Sequence, residues 1–475
     1  MMSRFRLPGR LAAVGTAGLL ATALAAMPAA ASAPPAPHQA VTPIKHFVFL
    51  MQGGRTFDNY FGTYPGADGL RPGICQPLAT GDPTGKCVKP FLLDNTERAP
   101  LGANATVVAN QWDGGKMDGF VAAYQQQGRD GALAMGYYNA NELPFYWEAA
   151  QNYVLFDHFF SSVKYGIRDN RSYWVAASPA PGGTGRIPAN GYGNLQTIFD
   201  RLQAAGVTWK FYVQGYNPAQ TYQSASPASP ETQTARVPLV DFERFTHDPA
   251  LASHIVGLDQ YYRDLAAGTL PAVAYVASSS ATDERSAQSI PAGQSLASTM
   301  TTQLMESRYW DSSALMWSYD GSGGWFDGVR PPTVDGQPLG FRVPALLVSA
   351  YARKGQVNHT VLDYTSALKF IEQNWGLAPL AARDAHANSL SSAFNFASGP
   401  RPPVLLRAGA ASQLDPFLTP RTLTRHQATQ VYVLYGGAAA VTAALLVFAG
   451  LSGRLAARRR SRAGRGHKVP EESVR

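Results

Sequence analysis

The strongest constraint on this chain is a rhythm of short apolar runs separated by stretches with helical spacing. The runs are His46–Met51, Tyr153–Phe156, Trp209–Val213, Ala272–Ala277, Ala314–Tyr319 and Ala345–Ser349. Their shortness and their β-branched and aromatic content read as strands. Between them, Asn194 is placed to cap a helix over Leu195–Ala205 that stops at Gly206. A second helix, Val361–Trp375, stops at Gly376 with Pro379 beyond, and a third is expected over Ser298–Tyr309. Strand and helix alternating in one order predict an α/β sandwich: a central, largely parallel sheet flanked by helices. No internal repeat is present. The domain is expected over residues 44–397, with long Gly/Ser/Pro loops at 178–193 and 216–238 that read as surface.

The two ends have a different character. Arg4, Arg6 and Arg10 precede an apolar run, Leu11–Met27, and then Ala31-Ser32-Ala33. That order predicts a secretory signal over residues 1–33, cut after Ala33. Residues 34–43 read as a Pro/Ala linker. Residues 398–430, with Pro400, Pro402, Pro403, Pro416 and Pro420, read as a stalk. Residues 431–451 carry no charge; as a helix they would span about 31 Å, against a hydrocarbon core of about 30 Å. Tyr432 and Tyr435 stand at one end, and seven cations from Arg454 to Lys468 follow the other. This is the pattern of a single membrane-spanning helix with a basic cytoplasmic tail (452–475) and the main domain outside.

This partition disposes of the net charge. The 475 residues carry a formal +8, of which +3 lies in the signal and +6 in the tail, leaving −1 on the exported body. Nucleic acid is therefore excluded as an electrostatic partner of the domain, and the membrane is the partner that the charge indicates. Cys75 and Cys87 lie in a Gly/Pro-rich loop of the exported part, where two cysteines favour a disulfide.

The segment Lys45–Gly62 (KHFVFLMQGGRTFDNYFG) resembles the bacterial phosphoesterase family. The likeness recurs at Trp112–Phe120, Met135–Trp147, Thr197–Val213, Tyr319–Pro332, Leu339–Thr360 and Phe370–Asn388. That family holds phospholipases C and related acid phosphatases on an alkaline-phosphatase-like fold. The resemblance implies hydrolysis of phosphoric ester bonds by a hydroxyl nucleophile, with carboxylates, an amide and imidazoles around a divalent metal and the phosphate. A metal there would lower the pKa of the nucleophile and polarise the phosphoryl group.

The chemical positions of those motifs depart from the family. Its first motif usually reads Gln-Glu-Asn-Arg-Ser-Phe-Asp, and here Gly53 and Gly54 stand at the Glu and Asn positions. Its nucleophile is a Thr or Ser three residues before an Asn. Aligned on Asn170, that position holds Ile167, and a slip of one puts Gly166 or Arg168 there. In the family's Tyr-Asp-Glu-His-Gly-Gly-x-x-Asp-His-Val, Asp320 is kept, the Glu is Gly321, and the two His are Ser322 and Gly328. A further His, from a Glu-His-Pro segment, aligns with Arg285 beside Glu284. Loss of a nucleophile alone costs on the order of 10⁶-fold in rate.

The resemblance thus implies a degenerate member: a membrane-anchored homologue that binds a ligand or partner without turnover and lacks most ligands for the family's metal. The alternative is an active hydrolase working with replacement residues. Asp320 reads either as a remnant cation ligand or as the cap of the Gly-rich turn after it. Asn170, Arg55 and Arg285 are candidates to line a polar pocket for an anionic or lipid-like ligand. His158 and His359 read as structural histidines, and no base is paired in sequence with Ser161, Ser162, Ser172 or Ser322.

Overall fold

Phe47 to Gln52 are all buried, and a strand buried on both faces needs apolar side chains at successive positions. The computed structural model, which describes residues 36–81, 85–94, 101–183, 186–224 and 232–404, places this strand, β1 (His46–Gln52), inside an eight-stranded sheet. The others are β2 (Val154–Phe156), β3 (Trp209–Val213), β4 (Ile255–Gly257), β5 (Val273–Ala277), β6 (Ser313–Tyr319), β7 (Ala345–Ser349) and β8 (Gln356–Asn358). Their order is β8-β2-β7-β6-β1-β5-β3-β4. β1 runs parallel to both neighbours, with Phe47 beside Ala314 and Val273. Only β7 is reversed, antiparallel to β6 and β2. The expected largely parallel sheet is present, and so is the Cys75–Cys87 disulfide.

Helices cover both faces. On one, Phe49 meets Trp174 of α1 (Ile167–Ala176) at 5.5 Å between ring centres. Phe47 there meets Phe370 of α2 (Tyr364–Trp375) at 5.3 Å. On the other, Trp317 stacks on Phe145 of the helix Pro144–Asn152 at 5.7 Å.

Three expectations need correction. The helix expected from Leu195 begins at Ile198, because Thr197 and Asp200 form a reciprocal capping box that Asn194 does not match. The helix expected from Ser298 begins at Ile290, capped by Ser289. Its early Gly293 is needed there: a Cβ would lie 2.1 Å from Glu284 Cγ. The helix expected from Val361 begins at Tyr364, where Asp363 and Ser366 make the cap. The edge strands β4 and β8 were not anticipated, since each is short and only partly buried and shows no apolar run.

The expected signal, membrane helix, basic tail and the stalk beyond residue 404 lie outside the described residues. Among those described, no helix is long and apolar enough to cross a membrane. From the expected linker, His38 and Val41 donate backbone hydrogen bonds to Ala205 and Asn374. From the expected stalk, the Arg401 carbonyl accepts from the Trp310 indole at 2.7 Å.

The strand ends are locked by Arg342, which is fully buried. Its Nη2 donates to Asp58 at 3.0 Å and its Nε to Asp327 at 2.9 Å. Its Nη1 donates to the carbonyls of Asp68 and Asp157 at 2.6 and 2.9 Å. A short helix (Phe57–Phe61) and three loops therefore share one guanidinium. Burial pushes the Asp58 carboxyl up to about 7 against the pull of Arg342, and Asp327 adds to the rise. Removing the cation leaves two buried carboxylates facing each other. Arg342→Met is expected to destabilise the domain by about 3 kcal/mol or more. Asp327→Asn in that background should recover part of the loss, as measured by chemical denaturation.

Candidate functional site

In open α/β sheets, sites form beyond the carboxyl ends of the parallel strands. Four segments meet at that edge here: Gly53–Thr56 after β1, the loop before α1, Ser278–Arg285 after β5, and Asp320–Asp327 after β6. The singled-out site residues lie in them, except Asn170 and Ile167, which are on α1, and Gly328, which follows the last segment.

Asp320 is buried, and two arginines hold it. Arg171 places Nε and Nη2 each 2.9 Å from Asp320 Oδ2. Its Nη1 donates to the Arg236 carbonyl at 2.6 Å, and its Nη2 to the Gln52 carbonyl at 3.3 Å. Arg285 reaches the same Asp320 oxygen at 3.4 Å and donates through Nε to Asp283 at 2.6 Å. The result is a buried chain of alternating charge, Asp283–Arg285–Asp320–Arg171. Asp320 is therefore an ion-pair partner rather than a turn cap.

The two glycines after β1 allow the loops to close on one another. The Gly53 N–H donates to the Asp283 carbonyl at 2.6 Å. A Cβ on Gly53 would lie 2.9 Å from Arg285 Cβ and from that carbonyl oxygen. A Cβ on Gly54 would lie 2.7 Å from Gly323 Cα and N. Backbone of the Gly321–Gly324 turn thus fills the space where a side chain at 54 would begin. Gly321 and Gly328 are roomier, with nearest atoms at 3.7 and 3.3 Å from an added Cβ.

The remaining candidates are bound internally. Asn170 Oδ1 accepts from the Val163 N–H at 3.0 Å, and its Nδ2 donates to the Val163 carbonyl at 3.3 Å. Arg55 donates to the Glu284 carbonyl at 2.6 Å and to Asn59 at 3.3 Å. Its guanidinium lies over the rings of Trp325, Tyr60 and Tyr138 at 4.9 to 5.8 Å. Ile167 opens α1 half-buried, behind Gly166, which offers no side-chain cap. Ser322 Oγ accepts from the Gly324 N–H at 3.4 Å, and among the described residues no histidine is bonded to it.

Two features escaped the sequence. Arg171 was missed although α1 reads Ile-Arg-Asp-Asn-Arg. A helix that is buried yet this polar must pair its charges, and Arg168 also does so, with Asp241 at 2.9 Å. The second is Glu284, which takes hydroxyl donors from three tyrosines. Tyr60 and Tyr319 each donate to Oε2 at 2.7 Å, and Tyr146 donates to Oε1. Burial pushes this carboxyl up to about 7, although Tyr146, Tyr60, Tyr319 and Arg55 pull it down.

The donor set at Asp320 does not fit a divalent ion. The one carboxylate is already neutralised by two guanidiniums, whose charge would repel a cation, and the glycines bring no ligand atoms.

Comparison with known proteins shows the family of the chain. The chain matches the Phosphoesterase family over residues 44–378 and belongs to it. It is 30% identical to phospholipase C B of Mycobacterium tuberculosis, over 84% of this chain and 87% of that one. It is 27% identical to the non-hemolytic phospholipase C of Pseudomonas aeruginosa, over 76% and 58%. Among solved structures it is similar to an alkaline phosphatase superfamily protein from Vibrio parahaemolyticus. That likeness has a TM-score of 0.38 at 11% identity, over 75% and 71%, and is too remote to inform the site.

Two outcomes follow from the geometry. Gly54→Ala is expected to cost about 1–3 kcal/mol by overpacking, read from the denaturation midpoint. Glu284 binds its proton more tightly when folded than its free value of 4.5 would allow. Its contribution is therefore complete at low pH and is lost as pH rises towards 7, with a slope of about 1.4 kcal/mol per pH unit for one proton. Glu284→Gln should flatten the stability–pH curve between pH 5 and 7 by about one proton.

Proposed function

We propose that this chain is a non-catalytic phosphoesterase: exported, held at the membrane by its C-terminal helix, and acting by binding a partner rather than by cleaving phosphoric esters. The observation that carries the reading is the Arg171–Asp320–Arg285 cluster. At a hydrolytic centre, a carboxylate at a strand end is useful when it is free to hold a metal or a proton. Here that carboxylate is consumed by ion pairs, and the neighbouring glycines admit neither ligand nor nucleophile. Ile167, at the aligned nucleophile position, is a hydrocarbon.

The same cluster bears on ligands. Arg55, Arg171 and Arg285 give hydrogen bonds to groups of the protein itself, so an anion arriving there would have to displace Asp320 or Asp283, or at Arg55 the Glu284 carbonyl and Asn59. We therefore place partner binding on the exposed parts of the expected surface loops, 186–190 and 217–221; the end of the second loop is instead a buried helix, Gln233–Arg236.

The test is an assay of the full chain with a phosphodiester, a phosphomonoester and phosphatidylcholine, with Zn²⁺, Mg²⁺ or Ca²⁺ supplied. The expected result is hydrolysis no faster than that of an Arg171→Met, Asp320→Asn double variant. Turnover that chelation or Asp320→Asn abolishes would overturn the proposal and establish the active hydrolase instead.

A further inference from the structure

A second group of polar side chains meets at the same sheet edge, on β2 and β8. Asp157 follows β2, with His158 next to it, and His359 follows β8. The two strands pair in parallel, with Phe156 beside Asn358. Asp157 is fully buried, whereas the His158 and His359 side chains are 21% and 59% exposed. His158 Nδ1 lies 2.9 Å from Asp157 Oδ1. His359 Nδ1 lies 2.8 Å from Oδ2 and 3.0 Å from Oδ1. One ligand atom from each of the three residues falls within 4.8 Å of the others. On the far side of the His158 ring, Nε2 faces Asp68 Oδ2 at 3.8 Å. The Asp68 N–H also donates to Asp157 Oδ2 at 2.9 Å.

We propose that Asp157, His158 and His359 form a binding site for a divalent transition-metal ion of the Zn²⁺ class. Two imidazoles and a carboxylate are a donor set that such ions favour, whereas Mg²⁺ and Ca²⁺ prefer oxygen alone. Zinc–ligand bonds of about 2.0–2.2 Å set neighbouring tetrahedral donors about 3.3 Å apart. The nitrogen–oxygen distances are a few tenths of an ångström below that spacing, and the three ligand atoms lie within 4.8 Å of one another, so a small movement of the two rings would admit the ion. Asp68 stands where outer-sphere carboxylates stand at metal sites, opposite the liganding nitrogen of a histidine. The exposure of His359 supplies the entry path and leaves a coordination position for water. A bound ion would join the ends of β2 and β8 beneath the Asp68 loop, independently of Asp320.

The experiment is calorimetric titration of Zn²⁺ into the metal-free full chain, with Co²⁺ absorption as a probe of the ligands. The expected result is one ion per chain at micromolar affinity and ligand-field bands of a nitrogen–oxygen site. His158→Ala and His359→Ala should each weaken binding about tenfold or more, and Asp68→Asn about tenfold. The exposed control His247→Ala should leave binding unchanged. His359 is the decisive position, because removing an exposed side chain leaves the core intact. Absence of saturable binding below millimolar Zn²⁺, or binding that survives both histidine substitutions, would overturn the assignment.

Discussion

Asp320 ends the strand next to the centre of the sheet, and a carboxylate buried there has to be neutralised. An unpaired buried charge costs several kcal/mol, more than most single contacts return. Arg171 meets that requirement from α1, and the pairing fixes much else. It binds α1 to the end of β6, while the other nitrogens of the same guanidinium reach the Gln52 carbonyl at the end of β1 and the Arg236 carbonyl. Arg285 approaches from the β5 side and brings Asp283 with it. Three parallel strands and a helix are thus registered through one carboxylate oxygen.

That arrangement needs the loops to come together, which side chains would prevent. The turn after β6 lies against the turn after β1, backbone to backbone, at Gly54 and Gly323. Glutamate and asparagine at positions 53 and 54, as the family's usual motif has them, would require those turns to separate. The glycines and the arginine cluster are therefore one structural solution. Glycine permits the approach, and the ion pairs hold it closed.

The sequence shows the interior of this sheet far better than its edge chemistry. Six strands were legible because burial on both faces demands unbroken apolar runs, which composition cannot disguise. β4 and β8 were not, because these short edge strands are only partly buried and carry no apolar run. The departures at Gly53, Gly54, Gly321 and Gly328 were readable as lost ligand types. That the space at Gly53 and Gly54 would be taken by the facing loops, more tightly than at Gly321 and Gly328, was not. Arg171 stayed hidden because its partner is 149 residues away, and no local pattern reports a pairing of that span. Asp157 and the two histidines were readable only as single polar residues, since β2 and β8 must pair before they meet.

The charge balance at the edge gives the last step. In the Arg342 cluster two carboxylates share one guanidinium, so one of them, Asp58, is driven towards proton uptake near neutrality. In the Arg171 cluster two carboxylates meet two guanidiniums, and the sum is zero without any proton. Recognition of a phosphate ester relies on excess positive potential focused where the anion lands. Neither cluster supplies it: the first is neutral or negative, and the second is balanced internally. The charge of these two clusters is spent on cohesion, which favours the proposed role in binding elsewhere on the surface over one in turnover.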